Sequence, residues 1–322
     1  LYVKYETINY ISKITPSGSI SSIFQNAEGA DDFSIDPDGN LYSLIYGYYK
    51  VNKATRVNTG IVDRLGNINE ASTSIDNSVS ITSNSPNEFV TTWKTDNPGT
   101  SNSNQIKIST FVGSIDNGSY NYDVDWGDGS TSTGLHVDST HSYATPGIYT
   151  VKITGLFPRL SLGASNSDSE KILSVEQWGT NQWTSMSQAF LGASNLTINA
   201  SDAPNLSNVT DMSAMFQDAI SLNSNLNNWD TSNVTIMNRM FQGALTFNQA
   251  LNNWDVSDVT NMDSMFRLAT SFNQSLNSWN TGSVSNIDQM FRDAHSFNGD
   301  ISNWNVSSVT TMSRTFESAS VF

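Results

Sequence analysis

The chain has 322 residues, with 15 Lys and Arg against 30 Asp and Glu, a formal charge of −15, and no cysteine. Such a field repels phosphate backbones and anionic lipid, which argues against nucleic acid and membrane surfaces as partners. A chain without thiols has no disulfide framework and no thiolate metal site, and no stretch approaches the roughly 20 apolar residues of a membrane span. The chain begins at Leu1 rather than Met, so a longer N-terminus is expected. Composition shifts along the chain: all 11 Tyr precede residue 150, all nine Met lie between 186 and 312, and all eight Lys precede 172. These shifts place one boundary near 160–175 and another near 66–87, and the expected architecture is multidomain.

Residues 1–65 alternate apolar and polar side chains in short runs broken by turn signals, such as Pro16-Ser17-Gly18 and Asp36-Pro37-Asp38-Gly39-Asn40. This predicts a β-rich segment. The string FSIDPDGNLY…YKV resembles one blade of an NHL-type β-propeller, which implies further blades upstream. Oxygens of Asp36, Asp38 and Asn40 could hold a structural Ca²⁺, although an Asx-type turn explains the same residues. No other cofactor is expected. Residues 66–87 are polar, lack aromatics and read as a linker.

Residues 88–160 are β by pattern, with alternating runs at Phe89–Lys94, Gln105–Phe111, Tyr120–Trp126 and Tyr149–Thr154. DVDWGDGS at 123–130, followed by HSYATPGIYTVKITG at 141–155, resembles the PKD family of immunoglobulin-like β-sandwich modules. The resemblance implies a spacer or a protein- and sugar-contacting module. Asp125 and Asp128 flank a tight turn, and no acid or base partner is set against them in sequence, which disfavours catalytic carboxylates.

The strongest signal lies in 161–322. Trp229, Trp254, Trp279 and Trp304 recur every 25 residues, as do Phe216, Phe241, Phe266, Phe291 and Phe316. Leu251-x-x-Trp254-x-Val256 has the spacing of a leucine-rich-repeat strand. Met262, Met265, Phe266 and Ala269 fall on one stripe of a short helix. Thr260 with Asp263, and Ser285 with Asp288, read as N-cap pairs. One strand plus one helix is too small to bury its own apolar face, so an α/β leucine-rich-repeat solenoid of stacked units is expected, with the Trp and Phe residues as core ladders. The solenoid reads as cut mid-unit at Phe322.

The outward strand positions are the candidate binding residues. Asn227, Asn252 and Asn277 form one row, and Asp230, Asp255, Asn280 and Asn305 another. The Asn row fits either turn backbone or a partner, and the Asp/Asn row is the better binding candidate. The motif WDxSNVTxMxxMFxxAxxFNxxL, with KILSVEQWGTNQWTSM at 171–186, resembles the BspA-like leucine-rich-repeat surface proteins of bacteria. That resemblance implies an extracellular or cell-surface location and a protein or glycan partner on a cell or matrix surface. His136, His141 and His295 have no metal-ligand spacing, and no nucleotide or nucleophile motif occurs. The expectation is therefore a non-enzymatic adhesion or protein-binding scaffold without direct membrane insertion. The alternatives are a structural stalk or fibre that self-assembles through its repeats, and a carbohydrate-binding accessory module.

Overall fold

A computed structural model describes residues 85–111, 120–163 and 167–322 in full, and five upstream strands by their backbone. By internal contacts the chain divides into two units, Leu1–Ser83 and Asn84–Phe322. In the first unit, β1 (Tyr2–Lys4), β2 (Tyr10–Ile14) and β3 (Ile20–Gln25) form an antiparallel sheet in that order, and β4 (Ala30–Ile35) pairs with β5 (Leu41–Ile45) in a separate one. The turns at 16–18 and 36–40, and the linker up to residue 84, lie outside the described residues.

The second unit opens with β6 (Phe89–Lys94), β7 (Gln105–Ile108), β8 (Asn121–Asp125), β9 (Thr131–Leu135), β10 (Ser139–Ser142) and β11 (Ile148–Leu156). The repeat region adds β12 (Ile172–Gln177) and β13 (Thr197–Ile198). Six of these strands share one sheet in the order β13-β12-β6-β11-β8-β9, while β10 and β7 pair separately. The large sheet is mixed: β12 meets β13 in parallel and the remaining pairs are antiparallel. Alternation along β8 buries Tyr122 and Val124 and exposes Asn121, Asp123 and Asp125, as a half-buried strand should.

The fold class expected from sequence is therefore corrected. An immunoglobulin-like β-sandwich followed by an α/β leucine-rich-repeat solenoid is not what forms. Strand β6 pairs with β11 on one side and with β12 on the other, so one sheet runs from the module into the first coil. No α-helix occurs among the described residues.

The stripe read as a helix is a chain of turns. Within a coil, the N–H groups of Met265, Arg267 and Ala269 donate to the carbonyls of Met262, Ser264 and Phe266, three residues back. The intervening N–H groups of Met262, Ser264, Phe266 and Leu268 leave the coil and donate to Asn286, Asp288, Met290 and Arg292 of the next one, at 2.8–2.9 Å. An α-helix needs every N–H bonded four residues back, and here every second one is committed to a neighbour. The turns also require left-handed backbone at two positions, as at Ser264 (φ 57°) and Leu268 (φ 61°). The apolar stripe is nonetheless buried, because Met262, Met265, Phe266 and Ala269 are all 0% exposed. A sequence of turns repeating at a 3–4 residue interval buries the same positions as a helix would.

The strand expected at Leu251–Val256 is likewise a turn, with the Trp254 N–H donating to Leu251 O at 3.2 Å. Parallel bridges form instead at Asp211, Ile236, Asn261, Asn286 and Thr311. These lie beside the residues read as N-caps. Thr260 and Ser285 cap nothing: each sends both its N–H and its hydroxyl to the equivalent carbonyl of the preceding coil, Thr235 and Thr260 respectively.

Aromatic rings run along the stack. Phe190, Phe216, Phe241, Phe266, Phe291 and Phe316 stack face to face at 5.5–5.7 Å between centroids. Phe247, Phe272, Phe297 and Phe322 form a second ladder at 5.5–6.0 Å. Trp254, Trp279 and Trp304 donate their indole N–H to the carbonyls of Leu226, Leu251 and Leu276, one coil earlier. Trp229 packs edge-on against Trp178 at 5.4 Å, joining this core to that of the β module.

A buried polar pin fastens the loop between β6 and β7 to the start of the array. Asp168 and Lys171 are both 0% exposed. Asp168 accepts from the N–H groups of Thr100, Ser101 and Lys107 at 2.8–2.9 Å. Lys171 Nζ donates to the carbonyls of Ser101, Asn102 and Gln105 at 2.8–3.0 Å. The Ser101 hydroxyl joins the two, 2.5 Å from Asp168 Oδ2 and 2.7 Å from Lys171 Nζ. Gly99 admits this arrangement, since a Cβ there would lie 2.6 Å from Asp168 Oδ1.

Candidate functional site

The outward-facing rows of the coils are the candidate site. Stacking brings Asp230, Asp255, Asn280 and Asn305 onto equivalent positions of successive coils, all exposed. Each side-chain oxygen Oδ1 accepts from the N–H two residues on, in Ser232, Ser257, Gly282 and Ser307, at 2.9–3.3 Å. These Asx turns fix the side-chain direction. The backbone and hydroxyl bonds from Ser257 hold the Asp255 carboxyl below its usual range, so it is anionic at neutral pH.

The Asn row sits differently. Asn227 and Asn277 are half-buried and Asn252 is exposed. Asn227 Oδ1 accepts the Asn253 N–H at 2.9 Å, and its Nδ2 donates to Asn252 Oδ1 at 3.1 Å. Asn277 Oδ1 accepts the Asn303 N–H at 2.6 Å, and its Nδ2 donates to Asp300 at 2.8 Å. These amides connect neighbouring coils. Of the ladder residues, Trp229, Trp254 and Trp279 are 2–3% exposed and Phe216, Phe241, Phe266 and Phe291 are 0% exposed. Trp304 and Phe316 are partly buried and pack against the same core. None of these rings is presented as an open platform; Phe322, the last rung of the second ladder, is 52% exposed.

The β module brings together Asp128, Ser130 and His141, a combination that invites a catalytic reading. His141 Nε2 lies 2.8 Å from Asp128 Oδ2 and 3.2 Å from Ser130 Oγ, while Ser130 Oγ donates to Asp128 Oδ1 at 2.5 Å. A relay needs the acid on one ring nitrogen and the nucleophile on the other. Here one nitrogen faces both groups, and the hydroxyl proton is committed to the carboxylate. The bonds from Ser130, then His141, bring the Asp128 carboxyl down to about 2. The imidazole stacks on Trp126 at 4.9 Å, and the cluster staples the turn at 125–130 to β10. That turn needs glycine, because Gly127 has φ 79° and a Cβ there would collide with the Thr150 carbonyl oxygen.

Among the described residues, no group of three or more His, Cys, Asp or Glu could hold a metal ion, and no helix is long and apolar enough to cross a membrane. Asp36, Asp38 and Asn40, considered for Ca²⁺, lie outside the described residues.

A family model described as "Mycoplasma protein of unknown function, DUF285" matches residues 161–266 and 249–322. The two matches together span half of the chain. The protein belongs to the DUF285 family. No curated protein and no solved structure matches the chain. The DUF285 portion begins at the first coil and contains every row described above.

Two features of the DUF285 coils were missed in sequence. One is the Thr/Ser ladder of Thr210, Thr235, Thr260, Ser285 and Thr310, whose hydroxyls bond the preceding coil in four consecutive steps at 3.0–3.3 Å. The other is the outward row Gln217, Gln242, Arg267, Arg292 and Glu317, which changes from coil to coil. Both stand in the 25-residue repeat, one as a hydroxyl column and the other as a variable column. Reading Thr260 and Ser285 as N-caps hid the first.

Proposed function

We propose that this protein is a non-catalytic scaffold that binds a protein or glycan at a cell or matrix surface through the outward rows of its coils. The observation that supports this reading most directly is the alignment of exposed, turn-fixed Asp230, Asp255, Asn280 and Asn305 on successive coils. Main-chain bonds between coils set one pitch, about 4.8 Å for parallel pairing. The rows therefore offer carboxylate and amide oxygens in register, at a spacing that suits an extended partner held by many weak contacts. The sequence resemblance to BspA-like surface proteins supports an extracellular location.

The test is binding of the full chain to a panel of cells, matrix proteins and glycans, alongside the double variant Asp230→Ala/Asp255→Ala. Weaker binding by a variant of unchanged stability is the expected result. No binding to any panel member by folded protein removes the basis of the reading.

A further inference from the structure

Rows of the stack that bond one coil to the next keep their chemistry, as the Thr/Ser ladder does. The outward positions around the left-handed turns do not, so stacking leaves their side chains free to vary. In the middle coils these free positions converge on one patch. Ile220, Leu245 and Leu268 are aliphatic and 42%, 37% and 36% exposed. They lie on successive coils: the Thr246 hydroxyl donates to Ile220 O at 2.7 Å, and the Thr270 hydroxyl to Leu245 O at 3.3 Å. Leu268 holds a left-handed conformation that Gly243 occupies, without a side chain to strain, one coil earlier. An exposed leucine at such a position contributes little to the stack.

Arg267 adjoins this patch. Three arginines of the array have carboxylates: Arg239 has Asp263 at 3.8 Å, Arg292 has Asp293 at 3.5 Å, and Arg314 has Glu317 at 3.4 Å. Arg267 makes no ion pair among the described residues, and its buried Nε has no acceptor. In the same row one coil earlier, the buried Gln242 Oε1 has no donor. The patch thus offers an aliphatic surface and a guanidinium without a carboxylate partner, while the unmet Arg267 Nε and Gln242 Oε1 are themselves buried.

We infer that Ile220, Leu245, Leu268 and Arg267 form a docking surface for a protein segment that presents an aliphatic side chain next to a carboxylate. Apolar area gives the contact, and the guanidinium selects the charge. A polyanion is the poorer fit, because the one cation of the patch, in a chain of net charge −15, does not offset the repulsion. The inference rests on the scaffold reading but uses a different face from the Asp/Asn row.

The test applies the full chain to an array of 12-residue Gly/Ser peptides carrying Leu-Leu-Glu, Leu-Leu-Lys, Ser-Ser-Glu or Ser-Ser-Ser, with heparin fragments on the same support. Leu-Leu-Glu should be retained about fivefold better than each other peptide, as expected for one favourable charge pair beside apolar contact. Arg267→Gln should abolish the preference for Glu over Lys and keep that for Leu over Ser. Leu245→Ser/Leu268→Ser should lose both. Asp230→Ala/Asp255→Ala should change neither, which separates this surface from the rows. Arg267→Lys, which keeps a cation, should retain the Glu preference, and Arg267→Met serves in place of Arg267→Gln if thermal unfolding shows that variant misfolded. Equal retention of the four peptides, an undiminished Glu preference in Arg267→Gln, loss of preference in the Asp double variant, or stronger retention on heparin would each overturn the proposal.

Discussion

Replacing Lys171 by Met removes the cation of the polar pin while keeping most of its aliphatic volume. Three main-chain carbonyls, of Ser101, Asn102 and Gln105, then lose the ammonium, although Asn102 O keeps the Gln105 N–H at 2.9 Å, and the fully buried Asp168 loses its counter-charge. Leaving a buried charge unpaired costs about 3–5 kcal/mol, so Lys171→Met should lower the unfolding free energy by about 4 kcal/mol. Asp168→Asn keeps an acceptor for some of the N–H groups of Thr100, Ser101 and Lys107 but leaves Lys171 charged, and a loss of similar size is expected. The double variant should lose less than the two single losses combined, since neither charge is then stranded. It should still fall short of wild type, because the Ser101 carbonyl loses the donor it has in Lys171, at about 1–3 kcal/mol for a buried group left unmet. Urea unfolding of all four proteins, followed by the fluorescence of the buried tryptophans, measures the cycle. A Lys171→Met loss below about 1 kcal/mol would mean that water solvates the site, in contradiction to its burial. A double variant as stable as wild type would show that the pin does nothing beyond balancing two charges.

Phe266→Ala should cost about 3–5 kcal/mol in the same assay, because the ring is fully buried between Phe241 and Phe291. Leu268→Gly should be neutral or stabilising by up to about 1 kcal/mol through relief of the left-handed backbone. Gly243→Val should destabilise by more than about 2 kcal/mol, since a Cβ there collides with the Asp218 carboxylate at φ 71°. Asp128 has a folded-state pKa depressed from 3.8 to about 2, so the stability it adds is present above pH 3.8 and lost as pH falls from there through about 2. Thermal unfolding of Asp128→Asn should therefore show a shallower acid decline than wild type across that window, and equal slopes would refute the assignment.

The repeats were legible in sequence as a burial code and illegible as backbone. Met262, Met265, Phe266 and Ala269 announced which side chains go inside, and those side chains are inside. Their spacing cannot distinguish a helix from successive turns, because both return the chain to the core every three or four residues. The difference lies in where Ser264 and Leu268 send their N–H groups, 24 residues onward, a long-range pairing that no local pattern encodes. Thr260 misled for a related reason: a hydroxyl ahead of an apolar stripe suits a cap, and it suits equally a rung between coils. Of the candidate site, the alignment of Asp230, Asp255, Asn280 and Asn305 followed from the period alone. The inter-coil bonding of Asn227 and Asn277 did not, since it depends on a rotamer and on the neighbour's backbone.

The N–H groups that cross from coil to coil also determine how the array meets a mechanical load. They link successive turns of the chain rather than residues within one turn, so tension applied through the ends falls on one rung at a time. A coil peeled from its neighbour keeps only its short internal turns and yields its full contour, roughly 85 Å for a 25-residue unit at about 3.4 Å per residue. Stretching a tethered array should produce a staircase of equal steps at low force. Such an array would act as an extensible tether between whatever its two ends hold.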